Sequence, residues 1–180
     1  MNPSLFLRRP ALALLVSLLC LALPVSGADA ATEPSVLSER GRGRLTYLFW
    51  KIYDVTLSLP ASVPSTEVLK DHSRQLTFVY LRAFTAAELA KATTSTIQER
   101  QGTPPSEEIT SGLTAINALW PAVQPGDRLE LFYQSGNGTT VSVNGRLLGL
   151  VPGAAFSRVL FSIWLGDDPI DKGLRRQLLG

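Results

Sequence analysis

Three arginines, Arg40, Arg42 and Arg44, alternate with Gly41 and Gly43 and lead into an apolar, aromatic run. That run belongs to the segment Gly41–Pro60, GRGRLTYLFWKIYDVTLSLP, which Arg40 immediately precedes. A further arginine, Arg82, stands in Gln75–Phe84 (QLTFVYLRAF), where Leu76, Phe78, Tyr80 and Arg82 share one parity. A guanidinium is a planar fork of donors suited to a carboxylate or a phosphate. Two readings of Arg82 stand: a side chain snorkelling to water from a strand end, or a cation aimed into a cavity. The arginine trio has the same two readings, a solvated basic entry to the first strand or a cleft lining.

The other reactive residue types offer less. The only cysteine, Cys20, lies near the N-terminus, and the single histidine, His72, sits in a polar HSR stretch that reads as surface. No cluster has metal-ligand spacing, and a catalytic triad has little to draw on. Asp167-Asp168 precedes Pro169 and fits a capped turn, since adjacent side chains rarely converge on one substrate. Ser135-Gly136-Asn137-Gly138 lies between strand-like segments rather than before a helix, so it is no phosphate cradle. The sequence therefore assigns no catalytic residue, no metal and no cofactor.

The first thirty residues read as a leader. Arg8 and Arg9 precede an apolar stretch from Ala11 to Pro24, and Ala28-Asp29-Ala30 offers a small-x-small cleavage pattern, the order of a secretory signal peptide. The apolar stretch falls short of the roughly 20 residues that span a bilayer. Cleavage after Ala30 would leave no span, no cysteine and a single domain over 31–180, in a periplasmic or otherwise exported setting. The chain carries 17 Lys+Arg and 15 Asp+Glu. Losing Arg8, Arg9 and Asp29 leaves 15 against 14, no electrostatic footprint for nucleic acid.

Ala31–Glu39 reads as a short disordered leader to the domain. Tyr47, Phe49, Tyr53, Val55, Leu57 and Leu59 share one parity, the period of a β-strand. The other parity begins apolar (Leu48, Trp50, Ile52), which predicts a first half covered on both faces. At about 3.3 Å per residue the run Leu45–Pro60 would overreach a domain of this size, so it must bend or fold back near Phe49–Lys51. Pro60 and Pro64 end it, and Ser65–Asp71 suits one helical turn. Gln75–Phe84 predicts a second strand. Thr85-Ala86-Ala87-Glu88 is a capping box opening a helix to about Arg100, and Ser106 caps another carrying Ile109, Leu113, Ile116, Leu119 and Trp120. Arg128–Val151 reads as three antiparallel strands joined at Gly136–Gly138 and Asn144-Gly145. Helices follow over Ala154–Leu165 and, capped by Asp171, to Leu179.

The C-terminal order NGR…G.VPG..F.R.LFSIWLGDDPID..LRR.LLG resembles the bacterial exported chalcone isomerase-like domain. FWKIYDVTLSLP, LTFVYLRAFTAAELAKA and PGDRLELFYQSGNGTTVSVNG occur in that family's order, so the resemblance covers about Leu37–Gly180. It implies an α+β fold, a large, mostly antiparallel sheet with helices on one face and a ligand cleft between them. Plant enzymes of this kind cyclise chalcones with an arginine, a threonine, a tyrosine and an asparagine, while related plastid proteins bind fatty acids through an arginine and a tyrosine. Matching the strands puts Tyr53 at the enzyme's threonine and Gly41, flanked by Arg40 and Arg42, at its arginine. The helical tyrosine and asparagine fall near Ala87–Leu89 and Thr94, where neither type is present.

What the resemblance implies is a binder of a fatty acid or similar amphiphilic carboxylate, its ligand-binding residues drawn from Arg40, Arg42, Arg44, Tyr53 and Arg82. An isomerase acting on an unknown enone or phenolic, with Tyr53 polarising an oxyanion, is one alternative. A periplasmic protein-interaction module using exposed aromatics such as Tyr133 or Trp120 is another.

Overall fold

The computed structural model describes residues 36–101 and 105–180, and residues 33–180 form one compact unit. The expected signal segment and most of the expected leader lie outside the described residues. Six strands form one antiparallel sheet in chain order: β1 (Leu37–Tyr47), β2 (Trp50–Pro60), β3 (Arg74–Tyr80), β4 (Arg128–Gln134), β5 (Gly138–Val143) and β6 (Arg146–Val151). Helices α1 (Ala86–Gln101) and α2 (Glu107–Leu119) are inserted between β3 and β4, and α3 (Ala154–Leu165) and α4 (Lys172–Leu179) follow β6. The architecture is α+β, with the helices on one face.

Alternation sets that face. Tyr53, Val55, Leu57 and Leu59 of β2, Leu76, Phe78 and Tyr80 of β3, and Leu129, Leu131 and Tyr133 of β4 are buried, as are Phe156, Leu160, Ile163 and Trp164 of α3. The opposite face is polar: Gln75 donates to Thr77 (3.0 Å) and Glu130 (3.1 Å), and Ser142 donates to Glu130 (3.2 Å).

The long run does fold back. Tyr47 pairs with Trp50 across a two-residue turn, Leu48-Phe49, and β1 begins at Leu37, so Leu37–Glu39 is strand rather than leader. The expectation that the first half is covered on both faces is overturned. Tyr47, Leu48, Phe49 and Trp50 are all exposed, because they form the tip of a hairpin that projects past its neighbours. The register shifts between Glu39 and Gly41 and between Leu45 and Thr46. Each shift breaks the simple parity on which a face assignment along one strand depends.

Two local signals act as their chemistry dictates. Thr85 and Glu88 bond reciprocally, Thr85 N–H to the carboxylate at 2.7 Å and Glu88 N–H to the Thr85 hydroxyl at 3.2 Å, and open α1. The Asp171 carboxylate accepts from Leu174 N–H (2.6 Å) and opens α4. Helix α4 then lies against β1, where a Cβ on Gly41 would come within 2.4 Å of the Gln177 carbonyl oxygen and one on Gly43 within 2.6 Å of Leu174. Only glycines admit so close an approach.

Candidate functional site

Between the core face of the sheet and the helices lies a cavity of about 270 Å³. Leu45, Ile52, Tyr53, Phe78 and Tyr80 form its floor, Leu89, Ala92, Thr93 and Thr96 of α1 its roof, and Ile163 and Trp164 of α3 a side wall. Its mouth is marked by the exposed groups in the lining, Glu88, Ala92 and Ile170. Sheet alternation supplies the floor, and the α1 stripe Leu89–Ala92–Thr93–Thr96 is one helical face at i, i+3, i+4, i+7 spacing.

The polar groups in the wall are uncharged donors. Tyr53 pairs with Tyr80 across β2 and β3, their ring centroids 5.8 Å apart. The Tyr53 hydroxyl oxygen accepts from Trp164 Nε1 at 2.8 Å, which leaves its own hydrogen free to donate. Burial pushes both tyrosines well above the usual phenol range. They are neutral hydrogen-bond donors at neutral pH, not bases. Trp120 also lines the cavity, and its buried Nε1 has no partner among the described residues. Glu88 is the one ionisable carboxylate in the lining, and the N–H of Thr85 that it accepts holds its carboxyl below the usual range.

Of the five residues singled out from the sequence, Tyr53 lines the cavity and the four arginines do not. Arg40 donates to the Val63 carbonyl (2.7 Å) and Arg42 bonds Glu39 (2.7 Å). Arg44 grips Asp54 through both oxygens (2.5 and 2.9 Å) on the polar face, the side away from the helices. Gly41 cannot stand in for the family's arginine, since α4 fills the space a side chain would need. Arg82 corrects the parity argument differently. β3 ends at Tyr80, whose N–H and C=O are taken by Asp127 and Gly126 of the next loop. Arg82 therefore lies past the strand, exposed, with its guanidinium 4.7 Å from the Trp50 ring centroid. Arg82 is absent from the lining, and its charge acts on Glu88 at the rim, so it belongs to the mouth region rather than the interior.

Sequence reasoning passed over two residues. Trp164 positions Tyr53 from 111 residues away, a pairing no local pattern announces. Arg74, read as part of a polar surface stretch, is almost wholly buried. Its guanidinium lies 4.5 Å from the Tyr133 ring and 4.8 Å from Phe161, and it donates to the Lys70 carbonyl (2.7 Å) and the Ser157 hydroxyl (2.9 Å). Burial lowers it to about 10. Arg74 stands at the far end of β3 from Tyr80, so it closes the core and does not serve the cavity. Tyr133 and Trp120, expected as surface aromatics of an interaction module, are buried. Among the described residues no group of three or more His, Cys, Asp or Glu could hold a metal ion, and no helix is long and apolar enough to cross a membrane.

With this geometry in view, comparison with known proteins decides the family. A model of the chalcone isomerase-like family matches residues 30–180. The chain belongs to the chalcone isomerase-like family. Among solved structures it is similar to the Arabidopsis thaliana fatty-acid binding protein, with a TM-score of 0.64 and 14% identity. That likeness covers 82% of this chain and 88% of the other, and at such identity it speaks to the shared fold. No curated protein matches by sequence.

Proposed function

We propose that this chalcone isomerase-like protein is a non-catalytic, exported carrier of a fatty acid or a similar amphiphilic carboxylate. The observation that carries the reading is the cavity's wall, apolar apart from uncharged donors, threonines and the rim Glu88, with every arginine outside it. A hydrocarbon tail gains about 0.8 kcal/mol for each methylene it buries there. An isolated carboxylate would be expensive in the same place. The charged end therefore stays at the mouth, where Arg82 and Lys51 are exposed, and Tyr53 serves as wall. The likeness to a fatty-acid binding protein supports the same reading. The neutral tyrosines argue against proton abstraction, and the positions matching the enzyme's helical tyrosine and asparagine carry Ala87–Leu89 and Thr94. Export is supported by the N-terminal pattern ending at Ala30 and is tested by sequencing the N-terminus of the protein recovered from the periplasm.

Binding is tested by delipidating the purified protein and titrating it with a fluorescent fatty acid. Micromolar affinity that falls several-fold in Arg82→Gln and survives in Arg44→Gln is the expected result. No affinity for any saturated fatty acid, or cyclisation of a chalcone well above the buffer rate, would overturn the proposal.

A further inference from the structure

The hairpin tip does not use the turn chemistry that its geometry favours. A two-residue hairpin turn that places a residue at positive φ is normally filled by Gly, Asn or Asp. The β5–β6 turn follows that rule with Asn144 (φ 50°) and Gly145 (φ 80°). The β1–β2 turn instead puts Leu48 at φ 56°, a conformation that is costly for a bulky side chain. Its strained leucine gains nothing in packing, because Leu48 is 74% exposed and the neighbouring Phe49 96%. Tyr47 and Trp50 complete the patch at 69% and 60%. Four consecutive apolar residues, one of them strained, are held out in water, and the core does not need them.

The position and surroundings of the tip indicate what covers it. The strands emerging from it carry Leu45 and Ile52, both of which line the cavity, and the Arg82 charge beside the tip acts on Glu88 at the rim, so the tip stands on the mouth side of the cavity. Arg82 stacks on Trp50, and Lys51 follows directly. Both cations are exposed, and among the described residues neither forms an ion pair. Tryptophan and tyrosine flanked by basic residues suit the headgroup layer of a bilayer, where the rings bury their faces and the cations meet anionic phosphates. The patch presents on the order of 500 Å² of apolar surface, less than the roughly 800 Å² each partner supplies to a stable protein complex. A convex tip of this size finds enough contact in a fluid lipid layer, which needs no matching groove.

We propose that the Tyr47–Trp50 tip enters the interfacial layer of an anionic lipid membrane, presenting the cavity mouth to the surface from which its amphiphile is drawn or to which it is delivered. The proposal rests on the carrier reading for the cargo but not for the docking, and the two fail separately. The chain from Ala31, which contains the whole compact unit with its own core, is mixed with phosphatidylcholine vesicles made with and without phosphatidylglycerol. Binding is followed by sedimentation and by tryptophan emission.

Of the three tryptophans, Trp120 and Trp164 are buried and Trp50 is exposed, so a blue shift on binding reports the tip. The expected result is binding that is stronger on the anionic vesicles, weakened by salt, and reduced about tenfold or more by Phe49→Asp. Phe49→Leu restores it, and Trp50→Phe keeps sedimentation while losing the shift. Fluorescent fatty-acid affinity in vesicle-free solution stays unchanged in Phe49→Asp. Absence of vesicle binding by the native chain overturns the proposal, as does binding indifferent to Phe49→Asp. It also falls if the tip proves to be covered by a second copy, seen as a dimer that Phe49→Asp dissociates without any vesicle binding. Vesicle binding without fatty-acid affinity leaves this inference standing and removes the carrier reading instead.

Discussion

Lengthening a saturated fatty acid by one methylene at a time probes the cavity between sheet and helices directly. The cavity measures about 270 Å³, so it holds only a limited length of hydrocarbon tail. Each methylene moved from water into it contributes about 0.8 kcal/mol, a factor of roughly four in affinity. With the carboxylate at the mouth, affinity should rise about fourfold per carbon along the short chains and flatten once the tail has filled the cavity. The assay is displacement of a fluorescent fatty acid by an even-numbered series, with critical micelle concentrations avoided. Thr93→Leu, which adds bulk to the roof where the side chain is buried, should move the plateau to shorter chains without changing the slope below it. An affinity independent of chain length would refute the apolar-tail argument. A rise that continues undiminished well past the plateau would refute the assignment of this cavity as the container.

Tyr53→Phe should destabilise the domain by about 1–3 kcal/mol, because Trp164 Nε1 is left buried without an acceptor. That corresponds to a melting temperature lower by roughly 2–4 °C per kcal/mol in a domain of this size. Adding Trp164→Phe should cost less than the two changes summed, and additivity would show that the pair does not interact. Arg74→Leu should cost about 1–3 kcal/mol in denaturant unfolding, since the Lys70 carbonyl and Ser157 hydroxyl lose a buried partner; a neutral outcome would mean the cation is dispensable packing. At alkaline pH, burial holds Tyr53 and Tyr80 above the ordinary phenol range and raises Tyr133 to about 12. The unfolded chain releases these protons near pH 10, so it binds fewer protons than the folded state above that pH, and stability falls as pH climbs from about 10 towards 12. Tyrosinate absorbance of these three should appear together with loss of far-ultraviolet structure, and smooth titration in an intact fold would contradict their burial.

Local chemistry carried much of the fold. The capping box at Thr85 and Glu88, the Asp171 cap, the Asn144-Gly145 turn and the apolar stripes of α2 and α3 are all short-range signals. They place elements within a few residues. The site was less legible for three physical reasons. Register shifts in the β1–β2 pair break the alternation that a face assignment assumes, so the Arg40–Arg44 set falls on the polar face and the strand's flank. Strand β3 stops at Tyr80 because the Gly126-Asp127 loop takes its last backbone groups, which sets Arg82 free of the parity that seemed to aim it inward. The partners that decide burial, Trp164 for Tyr53 and Ser157 for Arg74, come from the far end of the chain.

The two glycines of β1 bring a consequence for the order in which the molecule is made. Strand β1 is an edge strand whose Gly41 and Gly43 offer no side chains of their own to the core, and its cover is α4. The same fastening is seen where the Ser65 hydroxyl donates to the Leu179 carbonyl across 114 residues. At about 5–20 residues per second, synthesis leaves β1 without that cover for on the order of ten seconds. Through that interval the first hairpin is a poorly held ribbon with an apolar end, open to capture by chaperones. Completion of α4 is the event that turns it into a finished wall.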